Sequence, residues 1–446
     1  MQPVTLDAIR SCLEGAIPAT VATCSTDGIP NATYVSQMQY VDARHVALSY
    51  QFFNKTRENI LANPQATALV IEPTTGAAYR LDLLYLRTET AGALFQSMKA
   101  KLAGIASHTG MTGVFKLQGA DVYRVLAVEQ VPGSVVESPA PARNLLNALR
   151  HATVQLAECG SLEALFDQTL ALLGSEFGIA HALLLMADEA QRRLYIVGSR
   201  GYAATGVGSE IAFGDGVIGV AAQYRTSIRV SHATVEYAYG RAARDGAVAQ
   251  AMQLEPEIPF PGLAEPHSQL AVPILAAGRL LGVLCVESPQ DLRFTYDDED
   301  ALVTLGAQLG VLICGLQCDA DAGHSESATG SSSDIVPRGE PVEVRHYRAN
   351  DSVFLGGEYL IKGVPGAILW KLLTTWSTTG RCDFSNRELR MSPELRLPEI
   401  SDNLEARLIL LHRRLAERCP QLAIEKTGRG QFRLNVSRSV KLVEMA

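Results

Sequence analysis

At 446 residues the chain is too long for one ordinary hydrophobic core, and two to four domains are expected. With 47% apolar and 19% charged residues it has a globular composition, which excludes a predominantly disordered chain. The net charge of −8 is uneven: residues 343–446 hold 17 Lys and Arg against 12 Asp and Glu, leaving 22 against 35 for residues 1–342. A basic end on an acidic protein suggests that only this end meets a polyanion. The opening MQPVTLDAIR lacks the basic start and apolar core of a signal peptide. No uninterrupted apolar run approaches the roughly 18 residues of a membrane helix, so no membrane partner is expected. The eight cysteines are scattered, and the one close pair, Cys314 and Cys318, lacks the second cluster that a zinc or iron–sulfur site needs. No metal, and reduced thiols in a cytoplasmic protein, are expected.

Two stretches read as joints. PGSVVESPAPA, residues 132–142, is stiffened by proline, and residues 319–342 are rich in Ser, Gly and acid with few large apolar groups, as in a flexible linker. They delimit segments 1–131, 143–318 and 343–446.

In the first segment Leu6, Ile9 and Leu13 share one face of a short helix. Strands are predicted at Thr20–Thr23, Ala32–Tyr40, His45–Ser49, Ala66–Ile71, Ala78–Leu86 and Asp121–Val131, with a helix at Lys55–Ala62 that Asn63-Pro64 stops. The run VALSYQFFNKTRENILANPQATALV, residues 46–70, resembles the phosphate-binding turn of the pyridoxamine 5′-phosphate oxidase-like split barrel. That resemblance implies FMN or a related flavin, with Tyr50, Gln51, Asn54, Lys55 and Thr56 as contacts. A helix start and a lysine suit an anion. The family's oxidases carry an arginine and a lysine near the position of Thr33-Tyr34-Val35-Ser36-Gln37-Met38, where this chain has no cation. Pyridoxamine phosphate oxidation is therefore not expected. Other relatives hold deazaflavin, haem or nothing, and a cofactor-free scaffold with solvated Lys55 and Arg57 stays open.

The second segment opens with two helices: Leu145, Leu149, Ala152 and Leu156 set the first, and Ser161 caps the second. Strands at Ala182–Met186, Leu194–Ser199, Ser209–Phe213, Leu270–Ile274 and Leu281–Glu287 follow, then a long helix whose Asp297-Asp298-Glu299-Asp300 start complements its dipole. FGDGVIGVAAQYRTSIRVSHA, SQLAVPILAAGRLLGVLCVES and FTYDDEDALVTLGAQLGVLI resemble a GAF domain. Gly214, Gly216 and Gly219 spell a dinucleotide fingerprint, but hairpins rather than a βαβ unit are expected after them. GAF domains are mostly regulatory pockets, and the long loop from Ser231 to Ser268 suggests one here. His232, Tyr237, Tyr239, Arg241 and His267 on that loop, with Gln269 and Cys285 on the adjoining strands, are candidate contacts for a small-molecule effector. Leu302, Leu305, Leu309, Leu312 and Leu316 suggest a homodimer seam.

In the third segment SVFLGGEYLIKG reads as a hairpin, Val364–Trp376 as an amphipathic helix, and Ser385 with Glu388 as a capping box. Leu404, Leu408, Leu411 and Leu415 stripe a helix over 402–418, and TGRGQFRL closes a terminal hairpin. This order resembles the winged helix-turn-helix of OmpR/PhoB-type regulators. The resemblance implies that 402–418 enters the major groove of double-stranded DNA and 427–433 lies beside the backbone. At about 100° per residue, Arg407 and Arg414 fall within about 20° of each other, off the leucine stripe, with Asn403 and Arg418 nearby. Arg and Asn can read base edges, and Lys426, Arg429 and Arg433 are placed for phosphates.

The fold expected is multidomain α+β: a split barrel, a GAF domain and a winged helix. The function expected is a one-component transcription regulator, sensing a small molecule or redox state, without catalytic residues. A flavin-dependent oxidoreductase with a regulatory GAF domain, or a GAF-driven interaction protein, are the alternatives.

Overall fold

The computed structural model describes residues 4–13, 17–35, 37–50, 55–108, 116–137, 143–231, 258–322, 341–395 and 404–445. Of the joints proposed at 132–142 and 319–342, residues 138–142 and 323–340 lie outside these residues. What is described of the second ends a helix at Ala322 and opens a strand at Val342.

In the first segment, strands β1 (Ala19–Cys24), β2 (Pro30–Val35), β3 (Met38–Asp42) and β4 (His45–Tyr50) precede helix α1 (Lys55–Ala62). Then come β5 (Gln65–Ile71), β6 (Ala78–Glu89), helix α2 (Ala93–His108) and β7 (Gly119–Val131). The sheet order is β2-β1-β5-β6-β7-β4-β3, antiparallel throughout. The run expected as one strand over Ala32–Tyr40 is two strands, β2 and β3, at opposite edges of this sheet. Alternate residues of the strands, among them Val21, Val46, Leu48, Ala68, Leu81 and Leu83, bury one face. Helix α2 occupies a stretch for which the sequence predicts no element.

The second segment has α3 (Leu145–Ala157) and α4 (Leu162–Ser175), capped by Asn144 and Ser161 side chains that accept from the amides of Asn147 and Ala164. Strands β8 (His181–Asp188), β9 (Arg193–Arg200) and β10 (Glu210–Ala212) lead to α5 (Gly216–Tyr224). Then follow β11 (Ile228–Val230), β12 (Ser268–Ala276), β13 (Arg279–Ser288) and α6 (Tyr296–Ala322). The expected six-stranded antiparallel sheet is present, in the order β10-β9-β8-β13-β12-β11. Its strands are buried on both faces. Leu184, Met186, Val272 and Leu284 meet α3, α4 and α6, while Leu183, Leu185, Val283 and Cys285 meet Val217, Val220 and Ala221 of α5.

Two expectations fail here. A helix, α5, and not a hairpin follows the glycine fingerprint. The glycines answer backbone needs: Gly214 has φ +86°, and a Cβ on Gly219 would stand 2.2 Å from the carbonyl oxygen of Ala212. The next strand pairs antiparallel, so no dinucleotide site forms. The leucine dimer seam also fails. Leu302, Leu305 and Leu309 are fully enclosed in the domain's own core, with Leu312 and Leu316 packed against it. Val303 and Val311 face outward instead. Over Tyr296–Gln317 this helix is long and apolar enough to cross a membrane, which fits a helix so deeply set in a core.

In the third segment β14 (Val342–Tyr347), β15 (Ser352–Leu355) and β16 (Glu358–Ile361) form a meander closed by the parallel strand β20 (Val440–Met445). Between them lie α7 (Gly363–Thr379), β17 (Asp383–Ser385), α8 (Asn386–Arg390) and α9 (Leu404–Arg418). The hairpin β18 (Leu422–Gly428) and β19 (Gln431–Val436) pairs with β17 into a second, three-stranded sheet. Ser385 caps α8 by accepting from the Glu388 amide, as the capping box predicts. Leu404, Leu408, Leu411 and Leu415 are buried, each burial favouring the fold by at most about 2 kcal/mol. One continuous hydrophobic cluster runs from the second segment into the third, joining Leu170, Val197 and Val207 to Leu410 and Leu411.

Candidate functional site

At the expected flavin turn, Gln51 and Asn54 lie outside the described residues. Tyr50 ends β4, and the Arg57 guanidinium stacks over its ring at 4.5 Å. Thr56 accepts from the Asn31 side-chain amide at 2.8 Å. Lys55 pairs with Glu58 at 3.2 Å, and Arg57 is bound to the buried carboxylate of Asp121. Burial raises the Asp121 pKa above the usual carboxylate range, against the pull of Thr88 and Arg57. Each cation near the turn thus already faces a carboxylate.

In the second segment His232, Tyr237, Tyr239 and Arg241 lie outside the described residues. His267 is half exposed and pairs with Asp291 at 3.3 Å. Cys285 is fully buried in the sheet, and burial pushes its thiol well above the usual range, so the expected contact is core and not a reactive group. Gln269 does meet a polar centre. Its side-chain amide donates at 2.5 Å to Glu287, which also accepts from the Tyr202 hydroxyl and the Leu263 amide, each at 2.9 Å. Burial, then the neighbouring Glu287 charge, raises the Tyr202 pKa. This enclosed carboxylate sits where the segment Ile258–Leu263 returns to the sheet. The sequence held a signal for it, since a glutamate closes the otherwise apolar GVLCVES run.

A second polar centre joins the first two segments at the start of α6. Glu299 pairs with Arg229 at 2.9 Å, both buried, and accepts from Ser227. Burial works to raise its pKa, but the charges of Lys101 and Arg229 and the hydrogen bonds win, holding it at about 2. Tyr296 donates to the Leu13 carbonyl at 3.1 Å, with Arg10 and Arg229 each 4.3 Å from its ring centre. Arg10 continues to Asp300 at 2.9 Å. The acidic start read as a dipole complement is therefore also an interdomain tie. Ala100 of α2 completes the apolar cluster around α5.

The arginines expected to read DNA are the clearest correction. On α9, Arg407 is 4% exposed and Arg414 is 3% exposed. Arg407 reaches Asp188 of β8 at 2.9 Å. Arg414 donates to the Leu360 carbonyl at 3.2 and 3.1 Å and to Glu417 at 3.0 Å, and burial lowers its pKa. Between them Arg413, which the sequence does not single out, binds Asp167 at 2.7 Å and the Val197 carbonyl at 2.6 Å. The helical spacing is as read, but the face it defines is buried: Arg407 bonds the second segment and Arg414 its own. Asn403 lies outside the described residues, and Arg418 is exposed. On the hairpin, Lys426 pairs with Glu405 at 3.0 Å, Arg433 is held by both oxygens of Asp383 at 2.7 and 2.9 Å, and Arg429 is exposed. A cleft of about 1330 Å³ opens beside this seam, between β9–β10 and the meander, with Arg193, Glu210, Lys362, Trp370 and Arg407 among its walls. Among the described residues no group of three or more His, Cys, Asp or Glu could hold a metal.

Residues 5–120 match the pyridoxamine 5′-phosphate oxidase family, and residues 161–313 match the GAF domain family. No curated protein matches. Among solved structures the chain is similar to an FMN-binding protein from Syntrophomonas wolfei, at 16% identity over 29% of this chain and 86% of that one, TM-score 0.25. It is also similar to the GAF domain of an Acinetobacter phosphoenolpyruvate-protein phosphotransferase, at 20% identity over 40% and 97%, TM-score 0.31. A free methionine-R-sulfoxide reductase from Neisseria meningitidis, crystallised with its substrate, aligns at 21% identity over 38% and 87%, TM-score 0.29. The chain carries a pyridoxamine 5′-phosphate oxidase-like domain followed by a GAF domain.

Proposed function

We propose that this protein is a one-component transcription regulator. Its first two domains sense a small molecule, and its third segment is a winged helix that binds double-stranded DNA. The observation that carries this reading is the connectivity of the last hundred residues. A long helix, a short strand, two helices and a β-hairpin follow one another, and the short strand pairs into the hairpin's sheet. That order supports a reading in which α9 is the helix for the major groove and β18–β19 the wing, with Lys426 and Arg429 toward phosphate. The effector enters the GAF domain near Glu287, Gln269 and Tyr202, where a buried carboxylate favours a ligand with a hydrogen-bond donor or cation. The protein acts without turnover, in the cytoplasm, and pairs through the outward Val303 and Val311 of α6 together with Leu146 and Val154 of α3.

A second reading is favoured by Ile409 and Leu410, which are buried on α9 beside the arginines. A helix with this apolar content suits a protein surface, and the third segment would then be an interaction module. Retention of random-sequence duplexes by the full-length protein, measured across a salt series, separates the two. DNA binding must weaken steeply with salt, whereas retention that is absent at low salt removes the regulator reading.

A further inference from the structure

The proposed recognition helix is held by the GAF domain through Arg407, one of the residues that would meet DNA, and its neighbour on the helix Arg413, and two features mark this seam as built. The first is the set of matched charges: Arg407 to Asp188, Arg413 to Asp167, and, beside the helix, Lys362 within 3.7 Å of Glu210. Glu417 of α9 also accepts from Thr205 of the GAF domain. The second is a missing side chain. A Cβ on Gly198 of β9 would stand 2.9 Å from an Arg413 nitrogen, so the strand leaves room for Arg413 to reach the Val197 carbonyl.

We propose that this seam is an autoinhibitory latch, in which Asp188 and Asp167 occupy the arginines of α9 in place of DNA. The proposal rests on the DNA-binding reading above and names its regulation. A carboxylate and a phosphate compete for the same guanidinium fork, so the closed and DNA-bound arrangements exclude each other. The latch lies next to the effector pocket. Gly206 and Gly208 stand between α9 and the segment Ile258–Pro261, a Cβ on Gly206 meeting Pro261 at 2.4 Å and one on Gly208 meeting Ile258 at 2.7 Å. Two residues beyond Pro261, the Leu263 amide donates to Glu287. A ligand that draws on Glu287 shifts this segment and favours one arrangement by its differential affinity for the two.

The test is the double substitution Asp167→Asn with Asp188→Asn in the full-length chain, isosteric changes that leave α9 itself intact. Two quantities are read: affinity for random-sequence duplexes at low salt, and hydrogen-exchange protection of the α9 amides. The expected result is reduced protection and about tenfold tighter duplex binding, lost again on adding Lys426→Glu and Arg429→Glu in the wing. Equal, wing-dependent binding by parent and variant overturns the latch while leaving DNA binding intact. Reduced protection with no duplex retained by either protein overturns the DNA-binding reading, and the latch as an inhibitor of it falls too.

Discussion

The GAF domain meets its two neighbours through seams of different construction. Toward the N-terminal domain it uses small apolar residues, with Ala100 of α2 set among Val217, Val220 and Ala221, while its own enclosed Glu299–Arg229 pair faces the seam beside Tyr296 and Lys101. Toward the third segment it uses arginine–carboxylate pairs across the seam: Arg413–Asp167, with the Asp167 side chain 63% exposed, and Arg407–Asp188, with side chains 4% and 13% exposed. A buried ion pair is costly to break, because either partner left alone is an uncompensated charge. The exposed Arg413–Asp167 pair exchanges for water or another anion at little cost, whereas the enclosed Arg407–Asp188 pair parts only where Arg407 meets another anion. The apolar N-terminal seam offers no such exchange, so the proposed latch is placed between the GAF domain and α9.

The strongest challenge to this contrast is Ala100→Glu, which forces a long charged side chain into a fully enclosed position. It is expected to lower stability by about 4 kcal/mol, read as a fall in the denaturant midpoint. A midpoint near that of the parent would mean that α2 does not close the GAF core. Next is Glu299→Gln. The folded pKa of Glu299 is about 2 against an ordinary 4.5, so its stabilisation is complete above about pH 4.5 and is lost as pH falls toward 2. The variant is expected to be about 3 kcal/mol less stable at neutral pH and to show a flatter stability profile across that window. Parallel profiles would remove Glu299 from the N-terminal seam. Asp188→Asn alone is expected to cost only about 1 to 2 kcal/mol, because Arg407 can turn toward the adjoining cleft. A loss as large as that of Glu299→Gln would erase the difference between the seams. The smallest effect concerns Cys285, whose buried, high-pKa thiol should resist alkylation in the native protein and react only in denaturant. Labelling at the native rate of an exposed thiol would place it in an accessible pocket.

Much of the architecture is legible in the amino-acid sequence. The GAF strands alternate or run apolar, Ser161 and Ser385 cap their helices as their spacing predicts, and Lys55–Ala62 forms the helix that Asn63-Pro64 terminates. These signals are local, carried by residues within one or two turns of each other. Helix α2 escapes because its buried residues, Phe95, Met98, Ala100 and Leu102, are mixed in type and show no wide leucine stripe. The dimer seam misleads for the complementary reason: a leucine repeat on α6 states that one face is buried, and says nothing of whether the partner is a second copy or the domain's own sheet.

Periodicity also puts Arg407 and Arg414 correctly on one face of α9, and their chemistry correctly as anion-seeking. What the sequence determined alone was therefore the elements, their caps, and which residues share a face. Only the tertiary structure decided what that face meets, because Asp188, the partner of Arg407, comes from more than two hundred residues away, the Leu360 carbonyl that receives Arg414 from more than fifty, and no local pattern encodes their arrival. The same holds for Glu287, which is visible as a charge in an apolar strand but gains its three donors only when Tyr202, Leu263 and Gln269 fold around it.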